Sequence, residues 1–437
     1  MKRLFASVLA FLLVLSLAPL TALPASAAEK VVYVKEAATG DGSAPDKALA
    51  SLADAYKALG TDGGTIVLVG EIKYRAEFIA PEHTGTVTIT GKYNGSDYEG
   101  KIYAETTKHF YCGGPTVFEN LKIQMKSTWV IRACFHHLTF GYGVTVAEDD
   151  GKAWPRLYVV GGDNGPSSTL DTAQDTHLTF LSGTFLEIIG GPRLGAPADY
   201  TGKCVVEFGG DAKAFKIALG GRSCKSAPVH FGSGLLVLDG GMVDCWATAH
   251  DSMTNGFKGD VQIVLTKNFN IANSFNNPDQ SADHTLTDKE GNVVFYGISG
   301  ASVFNGYEDT THYANSELLI DPSIKAAVDA SGKVKTLGFT AIKEYTYTGT
   351  FGSGTLDGGN TPVVTDPPVV TTDAPAQETT AAPAQETTAA PATEPVPATT
   401  AGEVTPPTGD ISPVLFVISG AALVAAAAMV FVKKREN

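Results

Sequence analysis

The sequence predicts an all-β fold built by repetition, a parallel β-helix or solenoid, on three observations. Glycine is abundant, 47 of 437 residues, and long helical patterns are few, which points to many turns and many short strands. "HLTFGYG" at His137 to Gly143 recurs as "HLTFLSG" at His177 to Gly183, 40 residues on, and "VHFGSG" at Val229 to Gly234 is a looser third copy. Apolar strands closed by glycine doublets recur, with doublets starting at residues 161, 190, 209, 220 and 240, at intervals of 29, 19, 11 and 20. Short strands with turn residues at a quasi-period of about 20 suit a solenoid, in which each coil buries its inward residues only by stacking on its neighbours. Equivalent residues then form ladders. Cys204, Cys224 and Cys245, spaced 20 and 21, read as one inward ladder, and Cys112 with Cys134 as another. The interval of 11, about half a coil, leaves a β-sandwich or propeller open.

In chain order, residues 1–27 read as a secretory signal peptide. Met1-Lys2-Arg3 leads into an apolar core from Leu4 to Leu20, and Ala25-Ser26-Ala27 has the small-x-small form that signal peptidase requires at Ala25 and Ala27. The folded ectodomain is expected over 28–350, long for a single domain unless it is built by repetition. Its first segment, Val31 to Glu71, resembles the opening of right-handed parallel β-helix proteins of the pectate-lyase-like group. There a first strand, here Val31 to Val34, leads to a Gly-Asp-Gly loop, Gly40-Asp41-Gly42, then a capping helix, here about Leu49 to Leu59, and the first coil strand, Thr65 to Val69. The helix covers an open end that would otherwise expose backbone donors and apolar side chains.

Residues 351–404 are expected to be a disordered stalk rich in Thr, Pro, Ala and Glu, containing Ala-Pro-Ala-Gln-Glu-Thr-Thr twice, at Ala374 to Thr380 and Ala382 to Thr388. Such a composition buries too little apolar surface to fold. In an extended polyproline-like form its densest ~45 residues would reach on the order of 140 Å. Ile411 to Val432 is a run of 22 uncharged residues, followed by the basic tail 433–437 with Lys433-Lys434-Arg435. About 20 apolar residues span a bilayer as a helix, and a Lys/Arg cluster stays cytoplasmic, which sets the remainder outside the cell. Residues 405–410 between them, Thr405-Pro406-Pro407-Thr408-Gly409-Asp410, resemble the Leu-Pro-x-Thr-Gly sorting signal of Gram-positive surface proteins, with Thr405 in place of the leading Leu. The resemblance implies cleavage by a sortase between Thr408 and Gly409 and transfer of Thr408 to peptidoglycan. A plain single-pass anchor is the alternative. The expected location is the cell surface, anchored to wall or membrane.

The balance of 32 Lys and Arg against 46 Asp and Glu, with no basic stripe, excludes nucleic acid as a partner. Five cysteines cannot pair completely, and their spacing fits no metal finger. The pectate-lyase-like resemblance directs attention to clustered carboxylates, to Arg or Lys that would steady an acidic sugar, and to Ca2+ in a lyase. The best carboxylate cluster is Glu148-Asp149-Asp150, for which a solvated turn before Gly151 is the competing reading, and Arg193 could hold an acidic sugar or be an ordinary loop-tip charge. His136-His137 invites an acid-base reading, yet the repeat explains the recurrence of His137 at His177. Trp129, Trp154 and Trp246 suit sugar stacking or a core. No catalytic constellation rises above turn chemistry. The function expected is therefore a displayed binding or adhesion protein that offers a β-helix to glycans or a host surface. A surface-anchored polysaccharide lyase or glycoside hydrolase is the alternative.

Overall fold

The computed structural model describes residues 30–162, 173–194, 200–223, 229–249, 255–276, 297–300 and 313–356. Ala25 and Ala27, the stalk beyond Leu356, Thr405, Pro406, Pro407, Thr408, Gly409, the apolar run 411–432 and the basic tail lie outside the described residues. Every described residue belongs to one compact unit comprising 1–280 and 284–365. The fold is all-β and its long-range strand pairing is parallel.

Three stacks of parallel strands wind round one core. Sheet A runs through Val31–Val34, Gly64–Leu68, Val87–Thr90, Thr116–Glu119, His137–Phe140 and Thr176–Phe180. It continues through the first halves of Lys203–Ala218 and Ser233–Thr248, then Val261 to Leu265, Tyr313–Ile320 and Ala341–Glu344. Sheet B stacks Phe78–Ile79, Phe110–Tyr111, Trp129–Arg132, Leu157–Gly162 and Thr184–Leu194, then the second halves of the two 16-residue strands. Sheet C is confined to the first four coils: Glu71–Tyr74, Lys101–Ala104, Lys122–Met125 and Thr145–Glu148.

The 40-residue repeat marks one coil. His137, Leu138, Thr139 and Phe140 lie in register with His177, Leu178, Thr179 and Phe180. Inward phenylalanines follow one another, with ring centroids 5.4 Å apart for Phe118–Phe140, 5.4 Å for Phe140–Phe180 and 6.2 Å for Phe180–Phe208. Residues of one strand alternate between core and exterior, so the neighbours His137 and Thr139 point outward.

The apparent period of 20 has a different origin. Along sheet A most coils take 22 to 30 residues, and insertions lengthen two of them to 40 and 55. Glycine doublets mark two corners of the middle coils. Gly161 and Gly190 end stretches of sheet B, where an added Cβ would lie 1.9 Å from the Gly190 oxygen and 2.2 Å from the Leu219 oxygen. Gly210 and Gly240, in register with each other at φ 56° and 115°, turn the chain out of sheet A. Interleaving two corner series of about 29 residues each produces the intervals of 19, 11 and 20.

The cysteine ladders fail for the same reason. Cys204 is in sheet A, in register with Gly234, whereas Cys245 lies in the sheet B half of its strand. Cys112 and Cys134 are offset as well, since Tyr111 is the partner of Arg132, and Cys134 turns away at φ 55°. The third copy of the repeat also departs from expectation: Val229 to Phe231 pair with Asn255 to Phe257, and Leu235 occupies the place next to Val205.

The N-terminal cap is helix α1, Leu52–Leu59, which starts three residues later than expected. Leu49 is already engaged, bridged to Val34 with its N–H on the Tyr33 carbonyl. Extended Ser51 then caps the helix, its hydroxyl accepting from the Asp54 N–H at 3.2 Å. Leu52, Ala55, Tyr56 and Leu59, spaced for one helical face, are buried over the first coils. Near the other end lies a short helix α2, Lys325–Ser331, with Val328 buried.

Removing one rung of the aromatic ladder tests the dependence of each coil on its neighbours. Phe180→Ala should cost about 3–5 kcal/mol by cavity formation and lower the urea midpoint of the full chain, while the exposed change Tyr142→Ala should leave it unmoved. Equal midpoints for the two variants would contradict this packing.

Candidate functional site

The exteriors of the three sheets differ, and the difference locates the candidate site. Outside sheet B, Val130, Val160 and Ile189 are buried with Tyr158, and Leu186, Phe215, Cys245 and Trp246 with Trp154. Outside the later coils of sheet A, Val205, Leu235, Val237, Val264 and Leu319 are buried under Tyr345, Tyr347, Phe351 and Leu356. Sheet C instead carries polar and charged side chains in reach of solvent.

Its parallel register makes a grid. Glu71, Lys101, Lys122 and Thr145 form one row, and Lys73, Tyr103, Gln124 and Ala147 the next. One pleat further along the same strands stand Arg75, Glu105, Lys126 and Asp149. Asp149 ties three coils together: it accepts from the Tyr103 hydroxyl at 2.5 Å and from Gln124 Nε2 at 2.6 Å. The hydrogen bond from Tyr103, then that from Gln124, holds the Asp149 carboxyl below the usual carboxylate range, and the same bond pushes the Tyr103 phenol up to about 12. Lys101 Nζ lies 5.4 Å from the Tyr103 ring centroid and 2.5 Å from Glu71, and Arg75 meets Glu105 and Glu36 at 2.9 Å each. Lys122 and Lys126 are exposed on either side of Gln124. Five cations against three carboxylates make this grid positive on a chain of net charge −14.

The carboxylate run singled out in the sequence is divided by this geometry. Glu148 and Asp149 are strand neighbours on opposite faces. Glu148 points inward, its side chain fully buried, accepting from Arg156 Nε at 2.8 Å and from the Arg156 N–H at 3.0 Å, with Arg156 Nη2 closer still. Asp150 sits in the turn closed by the Gly151 N–H on the Glu148 carbonyl and accepts from the Lys152 N–H at 3.2 Å. Only Asp149 joins the grid. Arg193 continues the sheet B strand, in register with Arg222, and its side chain lies outside the described residues. Trp129 is a core residue, Trp246 is buried on the outer face of sheet B, and Trp154 packs on Phe215 there with centroids 5.5 Å apart. Tyr103 and Gln124 carried no motif in the sequence; their only signal was strand alternation beside Lys101 and Lys122.

A second constellation lies on the exterior of sheet A. The His137 and His177 rings stack at 3.7 Å and 7°. His177 Nε2 is 2.6 Å from Oε2 of fully buried Glu207, and His137 Nε2 is 3.0 Å from Thr179 Oγ1. A C-terminal strap, Tyr345 to Leu356, closes over this line: the Gly352 N–H donates to Glu207 Oε1 at 2.9 Å, and Lys203 Nζ donates to the Gly354 carbonyl at 3.1 Å. Residues 351–356, assigned to the stalk by composition, are therefore packed on the solenoid. Burial, followed by the charge on His177, lowers the His137 pKa to about 4. The strap thus binds Glu207 and Lys203, and through Glu207 it is tied to the histidine pair as a structural clasp.

Comparison with known proteins gives no match to any family model, curated protein or solved structure. Among the described residues, no group of three or more His, Cys, Asp or Glu is placed to hold a metal ion, and no helix is long and apolar enough to cross a membrane.

The clasp has a pH signature. A histidine whose folded pKa lies below its unfolded value of 6.5 contributes stability that is complete above about 6.5 and is lost as pH falls toward 4. After discounting for partial exposure, His137 should account for on the order of 2 kcal/mol across that window. Lowered carboxylates such as Asp149 and Glu317 lose their contribution only at lower pH. Half-buried His136 is shifted in the same direction, so the informative comparison is between His137→Gln and the parent chain. Thermal melts at pH 7 and pH 4.5 should show a smaller pH-induced drop in Tm for the variant, and an unchanged drop would refute the assignment.

Proposed function

We propose that this protein is a surface-displayed binding protein whose β-solenoid presents sheet C to a glycan or host surface. The observation that supports the reading is the difference in cover. Sheet B and the later coils of sheet A bury apolar side chains on their outer faces, whereas sheet C offers a Tyr103–Asp149–Gln124 unit already held by hydrogen bonds and flanked by exposed Lys122 and Lys126. Side chains already held by hydrogen bonds lose little freedom on binding. Cations on adjacent coils favour ligands bearing carboxylates or phosphates, and the sugar rings between them can lie on the aromatic and amide groups.

Within this proposal the solenoid is right-handed and pectate-lyase-like. The right hand is the one that crossover connections between parallel strands take almost without exception. The 1–27 leader exports the chain, the Thr/Pro/Ala stalk carries the solenoid outward, and 411–432 holds the chain in the membrane while a sortase transfers Thr408 to peptidoglycan. Carboxylates that point to opposite faces favour binding over cleavage. The alternative remains a polysaccharide lyase or glycoside hydrolase, with Ca2+ as the cofactor a lyase would use.

Two measurements test the proposal. Immobilised full chain should retain acidic polysaccharides from a mixed glycan panel, and Tyr103→Ala combined with Lys122→Ala and Lys126→Ala should weaken retention at least tenfold with little change in Tm. Retention unaffected by the triple change would remove sheet C from the reading, and new reducing ends or unsaturated products would turn it toward the enzyme. For anchoring, mass spectrometry of wall digests should recover a chain ending at Thr408; recovery only of chains that still carry Lys433-Lys434 would leave the plain membrane anchor.

A further inference from the structure

A hollow of about 580 Å3 lies at the corner where two successive coils pass from sheet A to sheet B, on the same side of the solenoid as sheet C and beyond its last strand. Gly210, Ala212, Gly241 and Met242 line it together with four polar side chains. Asp211 and Lys213 rise from one strand on one side, and Asn273 and Asn276 come from the loop opposite.

Both walls are fixed. The Asp211 N–H donates to the Leu181 carbonyl at 2.9 Å and the Lys213 N–H to the Gly183 carbonyl at 2.8 Å, so the corner is stitched to the preceding coil. The loop after Leu265 is pinned by three buried apolar side chains, Phe269, Ile271 and Phe275, and by the Phe275 N–H on the Val243 carbonyl at 2.7 Å. Lys333 Nζ then clamps the loop from below through the Ile271 and Ser274 carbonyls and Asn276 Oδ1, at 3.2, 2.7 and 2.7 Å. Asn276 is held at its other end too, its Nδ2 donating to the Ala272 carbonyl at 2.6 Å. The volume is within the range of ligand clefts, and the hollow is open to solvent, with Asp211, Lys213, Asn273 and Asn276 exposed around it.

From this geometry we propose that the corner hollow is a second binding site, specific for a neutral, hydroxyl-rich saccharide unit. One carboxylate and one ammonium line it, so a ligand with net charge is repelled by one as it is attracted by the other. Both charges are solvent-exposed, and exposed ion pairs are worth only about 0–1 kcal/mol, which leaves a zwitterion little to gain. A pair of neighbouring hydroxyls, in contrast, can donate together to the two Asp211 oxygens. Lys213 donates to a third hydroxyl, and the Asn273 amide both donates and accepts. The apolar C–H face of the ring rests on Met242 and the glycine backbone. This site does not depend on sheet C binding anything.

The test uses the purified full chain and three neutral disaccharides, cellobiose, lactose and N,N′-diacetylchitobiose, with glycine as the zwitterionic competitor. Saturation-transfer NMR should show transfer to at least one disaccharide. Asp211→Ala and Asn273→Ala should each weaken its Kd at least tenfold at unchanged Tm, and Met242→Arg, which fills the hollow, should abolish transfer. Lys122→Ala with Lys126→Ala on sheet C should leave the affinity unchanged, which separates this site from the first. Failure of all three disaccharides to bind, equal affinity in the Asp211 and Asn273 variants, or displacement by glycine would each overturn the proposal.

Discussion

The structure depends on parallel coils held in register, so that each inward side chain rests on its equivalent one coil away. Phe140 lies between Phe118 and Phe180, and Leu138 pairs with Leu178. No coil has a core of its own. The energy of the fold is therefore nearest-neighbour energy, as in other repeat architectures. Two consequences follow: the ends must be closed, and the outer faces are free to differ.

The ends and faces are closed by non-repeating segments. At the N-terminus, α1 lays Leu52, Ala55, Tyr56 and Leu59 over the first coils. On sheet A the cover is the strap from Tyr345 to Leu356, which buries an apolar strip and gives a backbone donor to Glu207. A carboxylate with no exposed surface needs such donors, because burying an unsatisfied charge is costly. The clasp of Glu207, His177 and His137 thus joins the last part of the domain to its middle coils.

Sheet C and the corner hollow use the same scaffold differently. On sheet C the ladder brings Tyr103, Gln124 and Asp149 together from three successive coils, so the grid is as rigid as the stack beneath it. At the corner, the chain turns at Gly210 and Gly240, and the loop pinned by Phe269 and Phe275 brings Asn273 and Asn276 to the hollow there. Binding surfaces on rigid elements keep their geometry without the ordering cost that mobile loops incur.

Much of this organisation was legible in the sequence. The His-Leu-Thr-Phe repeat marked a coil, the Ser51 to Leu59 stretch carried its cap and its apolar face, and the glycine doublets marked corners. Spacing along one chain cannot say which corner a doublet belongs to, and two interleaved corner series therefore looked like one short period and suggested cysteine ladders that do not exist. The same limit applied to the site. Glu148 and Asp149 are adjacent in sequence, yet strand alternation buries one against half-exposed Arg156 and sends the other to Tyr103 and Gln124, 46 and 25 residues away. Local pattern determined which residues make strands, turns and caps, because those depend on neighbours along the chain. The tertiary structure decided which side chains meet, because in a solenoid that is set by coil length and register, and insertions change both without altering the local pattern.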